Sequence, residues 1–354
     1  MARALRLAGR GMHTTDPNPR VGCVLVKEGS VVGEGWHERA GGPHAEIVAL
    51  HAAGDDARHA TAYVTLEPCC HQGRTPPCTD ALIAAGVSRV VFATDDPNPA
   101  VAGAGVERLV AAGIDVVGGV MQASADKLNV GYIMRRRTGR PYVRSKIAAS
   151  LDGRTALASG ESKWITGDAA RADVQRLRAR SSAVLTGVGT ILGDDPALNV
   201  RDTAFGDIRQ PLRVIADSRL RTPADARTLA LPGTVRIFCV EDRDAARLGN
   251  VGVEIQRVDA EAGRVSLSAL LDSLGRLEVN ELLVEAGPVL NGALLAAGLI
   301  DELIVYSASH ILGSGARGMF DAISPETMTE RIGLTLVDLR RVGDDLRLTY
   351  RMVR

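Results

Sequence analysis

The chain has 354 residues with 42 basic and 42 acidic side chains, a zero net charge that creates no broad basic field, and at roughly 150 residues per domain a length that predicts two domains. A hydrophobic fraction of 45% with 24% charged residues excludes a disordered chain. An aromatic content of only 3% leaves few rings for stacking single-stranded bases, so nucleic acid is not an expected partner.

The opening residues, MARALRLAGRGMHTT, place Leu5, Ala8 and Met12 on one helical face and predict a first helix. Arg3, Arg6 and Arg10 ahead of any acid faintly resemble a transit peptide, the less favoured reading. The runs VGCVLV, VVGEGW, PHAEIVALHAAG, ATAYVTLE, PPCTDALIAAG and SRVVFAT then alternate strand and helix patterns, the rhythm of a layered α/β sheet. A further helix and the strand IDVVGG follow Gly105, and MRRRTGRP closes the pattern. This cluster of arginines before Pro141 marks a boundary between domains 1–140 and 141–354, and also suits a basic helix end. A second α/β alternation begins at Tyr142, with a helix predicted from Asp168 to about Arg180. The most apolar stretch, Ala286 to Ile300, is interrupted by Gly287, Pro288, Asn291 and Gly292 and falls short of the roughly 18 residues a membrane span needs.

Three of the five cysteines, Cys69, Cys70 and Cys78, fall within ten residues, while Cys23 and Cys239 sit alone in apolar runs. That is no disulfide framework, and with no recognisable signal peptide it predicts a reducing cytoplasm, where clustered thiols bind metal more often than they pair. His44-Ala45-Glu46 follows Pro43 at one predicted helix start, and Pro68-Cys69 leads to Pro76-Pro77-Cys78 at another. Residues two apart on a helix diverge, so His44 and Glu46 can share a target only beyond the first turn, at the N-terminus, where the helix dipole favours thiolates. One histidine and two cysteines leave the fourth tetrahedral position of zinc open to water, the arrangement of a catalytic site. Glu46 is then a carboxylate not needed as a ligand, suited to shuttle a proton from water to a leaving amine. The pattern is that of a zinc deaminase, except that eight residues separate Cys69 from Cys78 where two are usual. A closed zinc knot or a pair of buried cysteines is the alternative. The Pro-Cys register favours Cys69 over Cys70 as ligand and leaves Cys70 as a pocket wall; His71 and Arg74 on the long loop are either solvated side chains or substrate contacts.

In the second domain one literal G-x-G-x-x-G occurs, Gly313 to Gly318, but Pro325 stands where a crossover helix should run, so a surface turn is predicted. ELLVEAGPVLNGALL offers a better phosphate cradle, because a strand ends at Glu285 and Gly287-Pro288 opens a helix whose N–H groups face an incoming anion. Gly187-Val188-Gly189-Thr190 forms a second such turn.

The segments HAE, TLEPCCHQGRTPPC, DDPNPAVAGAG, KIAASLDGRTALASGESKWITG, GVGTILGDDPALNVR and VEAGPVLNGALL recur together, in this order, in one family. Nearly end to end the chain resembles the bifunctional riboflavin-biosynthesis deaminase-reductases, in which the eight-residue gap is normal. The resemblance implies a cytidine-deaminase-like layered α/β domain followed by a dihydrofolate-reductase-like α/β domain. It implies zinc held by His44, Cys69 and Cys78, with Glu46 as proton shuttle, and a phosphorylated pyrimidine met by Asn18, His71, Arg74, Asp96 and Asn98. In the second domain it places NADPH on Ala148, Trp164, Thr190, Asp194, Ser218 and the stretch Gly287, Pro288, Val289, Leu290, Asn291, Gly292 and Ala293. Ser162, Arg178, Leu198, Arg201 and Glu285 fall to the substrate, the two arginines suiting its phosphate. Asp194 and Glu285 are candidates for assisting protonation, and a homo-oligomer is expected.

Overall fold

The computed structural model describes residues 1–70, 76–98, 102–241, 245–249 and 252–353, which divide into a unit Met1–Gly139 and a unit Arg140–Arg354. In the first, β1 (Gly22–Lys27), β2 (Ser30–Trp36), β3 (Thr61–Val64), β4 (Arg89–Phe92) and β5 (Asp115–Val117) form one sheet in the order β2-β1-β3-β4-β5. The pairings of β1 with β2 and β3 are antiparallel, and those of β4 with β3 and β5 are parallel. Strand alternation assigns the faces: Cys23 and Leu25 join the core with Ala45, Ala49, Leu82 and Leu109, whereas Val24 packs with Ala4 and Leu7. The first core is thus covered by α2 (Ala45–Ala53), α3 (Cys78–Ala84) and α4 (Ala104–Ala111), and the second by α1 (Ala2–Ala8). The predicted first helix forms, but it buries Ala4, Leu7 and Ala8, with Leu5 and Met12 only half-buried. α5 (Gln122–Leu128) and α6 (Val130–Thr138) follow, and α6 ends on Gly139 at φ +79°.

Two glycines of β2 decide where α2 lies. A Cβ on Gly35 would stand 2.4 Å from the Ala45 carbonyl oxygen, and one on Gly33 2.3 Å from that of Ala49. With no side chains there, the helix backbone rests directly on the strand, which sets the position of its N-terminal residues, His44 and Glu46.

The second unit runs β6 (Tyr142–Ser150), β7 (Arg154–Ala156), α7 (Asp168–Arg180), β8 (Ala183–Gly187), α8 (Val188–Asp194), β9 (Leu212–Ala216), α9 (Arg227–Ala230), β10 (Val235–Cys239), α10 (Ala246–Gly249) and β11 (Glu254–Arg257). It continues with β12 (Ala260–Glu261), β13 (Arg264–Val265), α11 (Leu267–Arg276), β14 (Glu281–Val284), α12 (Pro288–Ala296), β15 (Glu302–Ala308), β16 (Arg317–Gly318), β17 (Leu334–Val342) and β18 (Asp345–Met352). Its nine-stranded sheet has the order β11-β10-β9-β8-β14-β6-β15-β18-β17. Neighbours from β11 to β15 are parallel, and the β17–β18 hairpin adds antiparallel strands at one end. Adjacent residues again take opposite faces, Val214 and Leu282 in one core with Leu271 and Leu294, Ile215 and Leu283 in the other with Leu177. These are the deaminase-like and reductase-like α/β layouts that the resemblance implies.

Gly313 to Gly318 is a turn running into β16, which pairs with β7, and among the described residues no α-helix follows it. The glycine pattern therefore builds no dinucleotide loop. Ligand-competent turns lie instead beyond the carboxyl ends of β6, β8, β9 and β14, where an open parallel sheet offers its crevice.

Candidate functional site

In the first unit His44 is the N-cap of α2 and Glu46 lies in its first turn, while Pro77 caps α3 and Cys78 is its first residue. The prolines stand just ahead of the helices rather than inside the first turn. His44 Nδ1 lies 3.1 Å from Cys78 Sγ and 3.6 Å from Cys69 Sγ, and the Cys78 backbone N–H donates to Cys69 Sγ at 3.4 Å. The three ligand atoms all fall within 4.8 Å of one another. Tetrahedral zinc with its usual N and S bond lengths spaces such atoms about 3.5–3.8 Å apart, so the donor set and its spacing fit the metal. Among the described residues no fourth side chain joins the cluster, which leaves a position for a small molecule.

Hydrogen bonds from the Cys78 thiol and from His44 hold Cys69 well below the usual thiol range, despite its burial. The hydrogen bond with Cys69 in turn raises His44. Glu46 is only 4% exposed, and burial pushes its carboxyl up from the usual carboxylate range.

Two tethers tie the expected substrate residues to the ligand loops. Asn18 Nδ2 lies 3.0 Å from His37 Nε2, and His37 Nδ1 lies 2.9 Å from the carbonyl of Pro43, the residue before His44. Asp96 is buried and accepts from the Asn98 N–H at 2.9 Å and the Tyr132 hydroxyl at 3.1 Å. The buried Glu67, two residues before Cys69, accepts the N–H groups of Asp96 and Gly103 at 3.3 and 3.2 Å. Neither His37 nor Glu67 stood out in the sequence; Glu67, the acid inside TLEPCC, was the available signal. His71 and Arg74 lie outside the described residues.

In the second unit a cavity of about 1090 Å³ opens at the strand ends. It brings together Ala148, Trp164, Thr190, Asp194 and Ser218 with Gly287, Pro288, Val289, Leu290 and Ala293, and also Ser162, Arg178, Leu198, Arg201 and Glu285. Asn291 and Gly292 do not line it. Asn291 is buried, bonded to the Ser145 hydroxyl and the Ala286 carbonyl, and a Cβ on Gly292 would stand 2.0 Å from the Asp321 carbonyl oxygen. One turn of α12 faces the cavity at 287–290 and 293, and the helical period turns 291 and 292 into the protein. Gly287 caps this helix and its N–H donates to Thr190 Oγ1 at 3.3 Å, which joins the two glycine turns. Ser162 Oγ donates to the Asp194 carboxylate at 3.3 Å, and Lys163 Nζ donates to the Asp194 backbone carbonyl at 3.0 Å. Trp164 is 71% exposed under the guanidinium of Arg171, 4.5 Å from its ring centre.

The electrostatic centre of the cavity is Arg178 with Glu285. Arg178 Nε and Nη2 donate to the two Glu285 oxygens at 2.5 and 2.9 Å, and Nη1 donates to the Asn199 carbonyl at 3.0 Å. The guanidinium fork expected for a phosphate is spent on a carboxylate. Burial alone would raise Glu285, but Arg178, Lys146 and Arg201 outweigh it and hold the carboxyl below its usual range. Lys146, a lining residue that sequence reasoning missed, is pushed down by burial, with Glu285 opposing. Its signal was a cation, beside Arg144, within the strand pattern of YVRSKIAAS.

Residues 141–348 match the family model of the RibD C-terminal domain, and residues 1–94 that of the cytidine and deoxycytidylate deaminase zinc-binding region. The chain is 51% identical to the riboflavin biosynthesis protein RibD of Escherichia coli (strain K12), over 98% of this chain and 96% of that protein. Form 1 of Acinetobacter baumannii RibD superimposes with a TM-score of 0.94 at 47% identity, covering 100% of this chain and 98% of that one. The diaminohydroxyphosphoribosylaminopyrimidine deaminase/5-amino-6-(5-phosphoribosylamino)uracil reductase of Thermotoga maritima does so with a TM-score of 0.90 at 34% identity, covering 100% and 97%. Because both halves match in one order along the full length of these relatives, the chain belongs to the RibD family, the bifunctional deaminases and reductases of riboflavin biosynthesis that use zinc and NADPH.

Proposed function

We propose that residues 1–140 hydrolyse the 2-amino group of 2,5-diamino-6-(5-phosphoribosylamino)pyrimidin-4(3H)-one. Residues 141–354 then reduce the ribosyl group with NADPH to give 5-amino-6-(5-phosphoribitylamino)uracil. The observation that carries the first half is a buried glutamate, Glu46, beside a three-ligand group built on two helix N-termini. His44, Cys69 and Cys78 would hold zinc, which supplies Lewis acidity when bound. Glu46 takes the proton of the attacking water on its carboxylate and delivers it to the leaving amine. Asn18, Asp96 and Asn98, tethered to the ligand loops, orient the pyrimidine and its ribose phosphate, with His71 and Arg74.

In the reductase half NADPH supplies the hydride, and the protein positions it. Gly287 to Leu290 and Ala293 present a helix N-terminus to its phosphates. Ala148, Trp164, Thr190, Asp194 and Ser218 line the remainder of its path, and Ser162, Arg178, Leu198, Arg201 and Glu285 meet the substrate. Glu285, kept ionised by Arg178, accepts hydrogen bonds from the sugar, and Asp194 is the other carboxylate available for proton transfer.

The assembly is a homo-oligomer in this reading. Leu334, Leu336 and Leu339 are exposed along β17, the terminal strand of the sheet, an arrangement that proteins cover or charge. Among the described residues no helix is long and apolar enough to cross a membrane. None of the five cysteines forms a disulfide, which suits the cytoplasm. Ammonia release from the diaminopyrimidine, together with NADPH consumption on adding its deaminated product, is the expected result. A chain that does neither contradicts the proposal.

A further inference from the structure

Among the arginines that line the reductase cavity, Arg178, Arg201 and Arg227 differ in what their charges already serve. Arg178 is neutralised by Glu285, with all three guanidinium nitrogens engaged. Arg201 and Arg227 form no ion pair among the described residues. Burial first, and then the charges of Arg178 and Arg227, push Arg201 down, the mark of cations gathered without enough counter-charge. Hydrogen bonds fix the segments that carry the two arginines. The Arg227 N–H donates to Asp195 Oδ1 at 2.8 Å, Thr228 Oγ1 donates to the Ala197 carbonyl at 3.4 Å, and the Arg201 N–H donates to Gln175 Oε1 at 2.8 Å. The segment that carries Arg201 is thereby tied to the start of α9 through Asp195 and Ala197, and among the described residues neither guanidinium group has a hydrogen-bond partner.

We propose that Arg227, absent from the sequence-derived set, pairs with Arg201 to bind the terminal phosphate of the reductase substrate, and that Arg178 instead holds Glu285 in place. This rests on the reading that the substrate is a phosphorylated ribosylaminopyrimidine. A phosphate monoester carries roughly −1.5 to −2 charges near neutrality and takes guanidinium forks side on, so two unpaired arginines match it in charge and shape.

The test is calorimetry on the full chain with ribose 5-phosphate and inorganic phosphate, beside a fluorescence titration with NADPH. Arg227→Ala removes the guanidinium and keeps the backbone bond to Asp195; Arg227→Lys keeps the charge without the fork. The alanine variant is expected to lose about tenfold or more in ribose 5-phosphate affinity, and the lysine variant less. NADPH affinity should stay within about twofold, and the KM of the deaminated intermediate should rise with kcat nearly constant. Unchanged ribose 5-phosphate binding, no measurable binding by the wild type, or an equal loss of NADPH affinity overturns the assignment. If the wild type binds ribose 5-phosphate through Arg227 yet never oxidises NADPH with the intermediate, the reductase reading fails and the anion site stands.

Discussion

Glu285 shares both its oxygens with Arg178, at 2.5 and 2.9 Å, inside the reductase cavity. Removing the arginine strands a buried carboxylate, so Arg178→Ala is expected to destabilise the reductase unit by about 3 kcal/mol or more, read as a lower denaturation midpoint. The Glu285 carboxyl is depressed in the folded state, so its contribution to stability is complete above the unfolded value of 4.5 and is lost as pH falls through the native one. Thermal melts of Glu285→Gln against pH should show a flatter acid limb than the wild type.

The metal group makes zinc content and deamination inseparable. Cys78→Ser should lower bound zinc and abolish deamination together, because Cys78 lies 3.1 Å from His44 Nδ1 and anchors the start of α3. Cys70→Ser should be far milder, since Cys70 is outside the three-ligand cluster. Metal analysis of both variants checks this, and an emptied site in Cys70→Ser would show the ligand register to be wrong.

Glu46→Gln separates metal binding from proton transfer. It should retain zinc and lose roughly three decades of deamination, within the range that a positioned acid-base group contributes. Reduction of supplied deaminated intermediate should be unchanged; a comparable fall in both activities would indicate one composite site.

Gly287 and Gly315 distinguish the two glycine turns. Gly287 has φ −75° and a Cβ there would meet only Thr190 Oγ1, at 3.9 Å, so a side chain fits the protein but enters the space before the helix N-terminus. Gly287→Val should raise the NADPH dissociation constant about tenfold or more, one lost contact of about 1.4 kcal/mol. A Cβ on Gly315 meets nothing within 4 Å, and its φ is not positive, so Gly315→Ala should leave binding near that of the wild type. Cofactor fluorescence titration decides between them, with circular dichroism to confirm folding.

Local signals made much of this legible in the sequence. His44, Cys69 and Cys78 were readable because helix starts are marked by proline and a tetrahedral site needs few residue types; α7 was readable because its period and ends are written in Asp168 to Arg180. What escaped depends on contacts far apart in the chain. Asn291 and Gly292 read as part of a phosphate cradle, but Ser145 and the Asp321 backbone claim them. The Arg178 guanidinium is claimed by Glu285, 107 residues away, and the Arg227 backbone is tied to Asp195, 32 residues away. Lys146 was visible as a residue, but its burial in the cavity was not.

The most direct measurement is mass analysis of the purified protein incubated with the diaminopyrimidine ribosyl phosphate, without and with NADPH. Without NADPH the account predicts one product in which an amino group is replaced by oxygen; with NADPH that product should gain two hydrogens and become the ribityl compound. Unchanged substrate in both incubations, or reduction with no prior deamination, would contradict it.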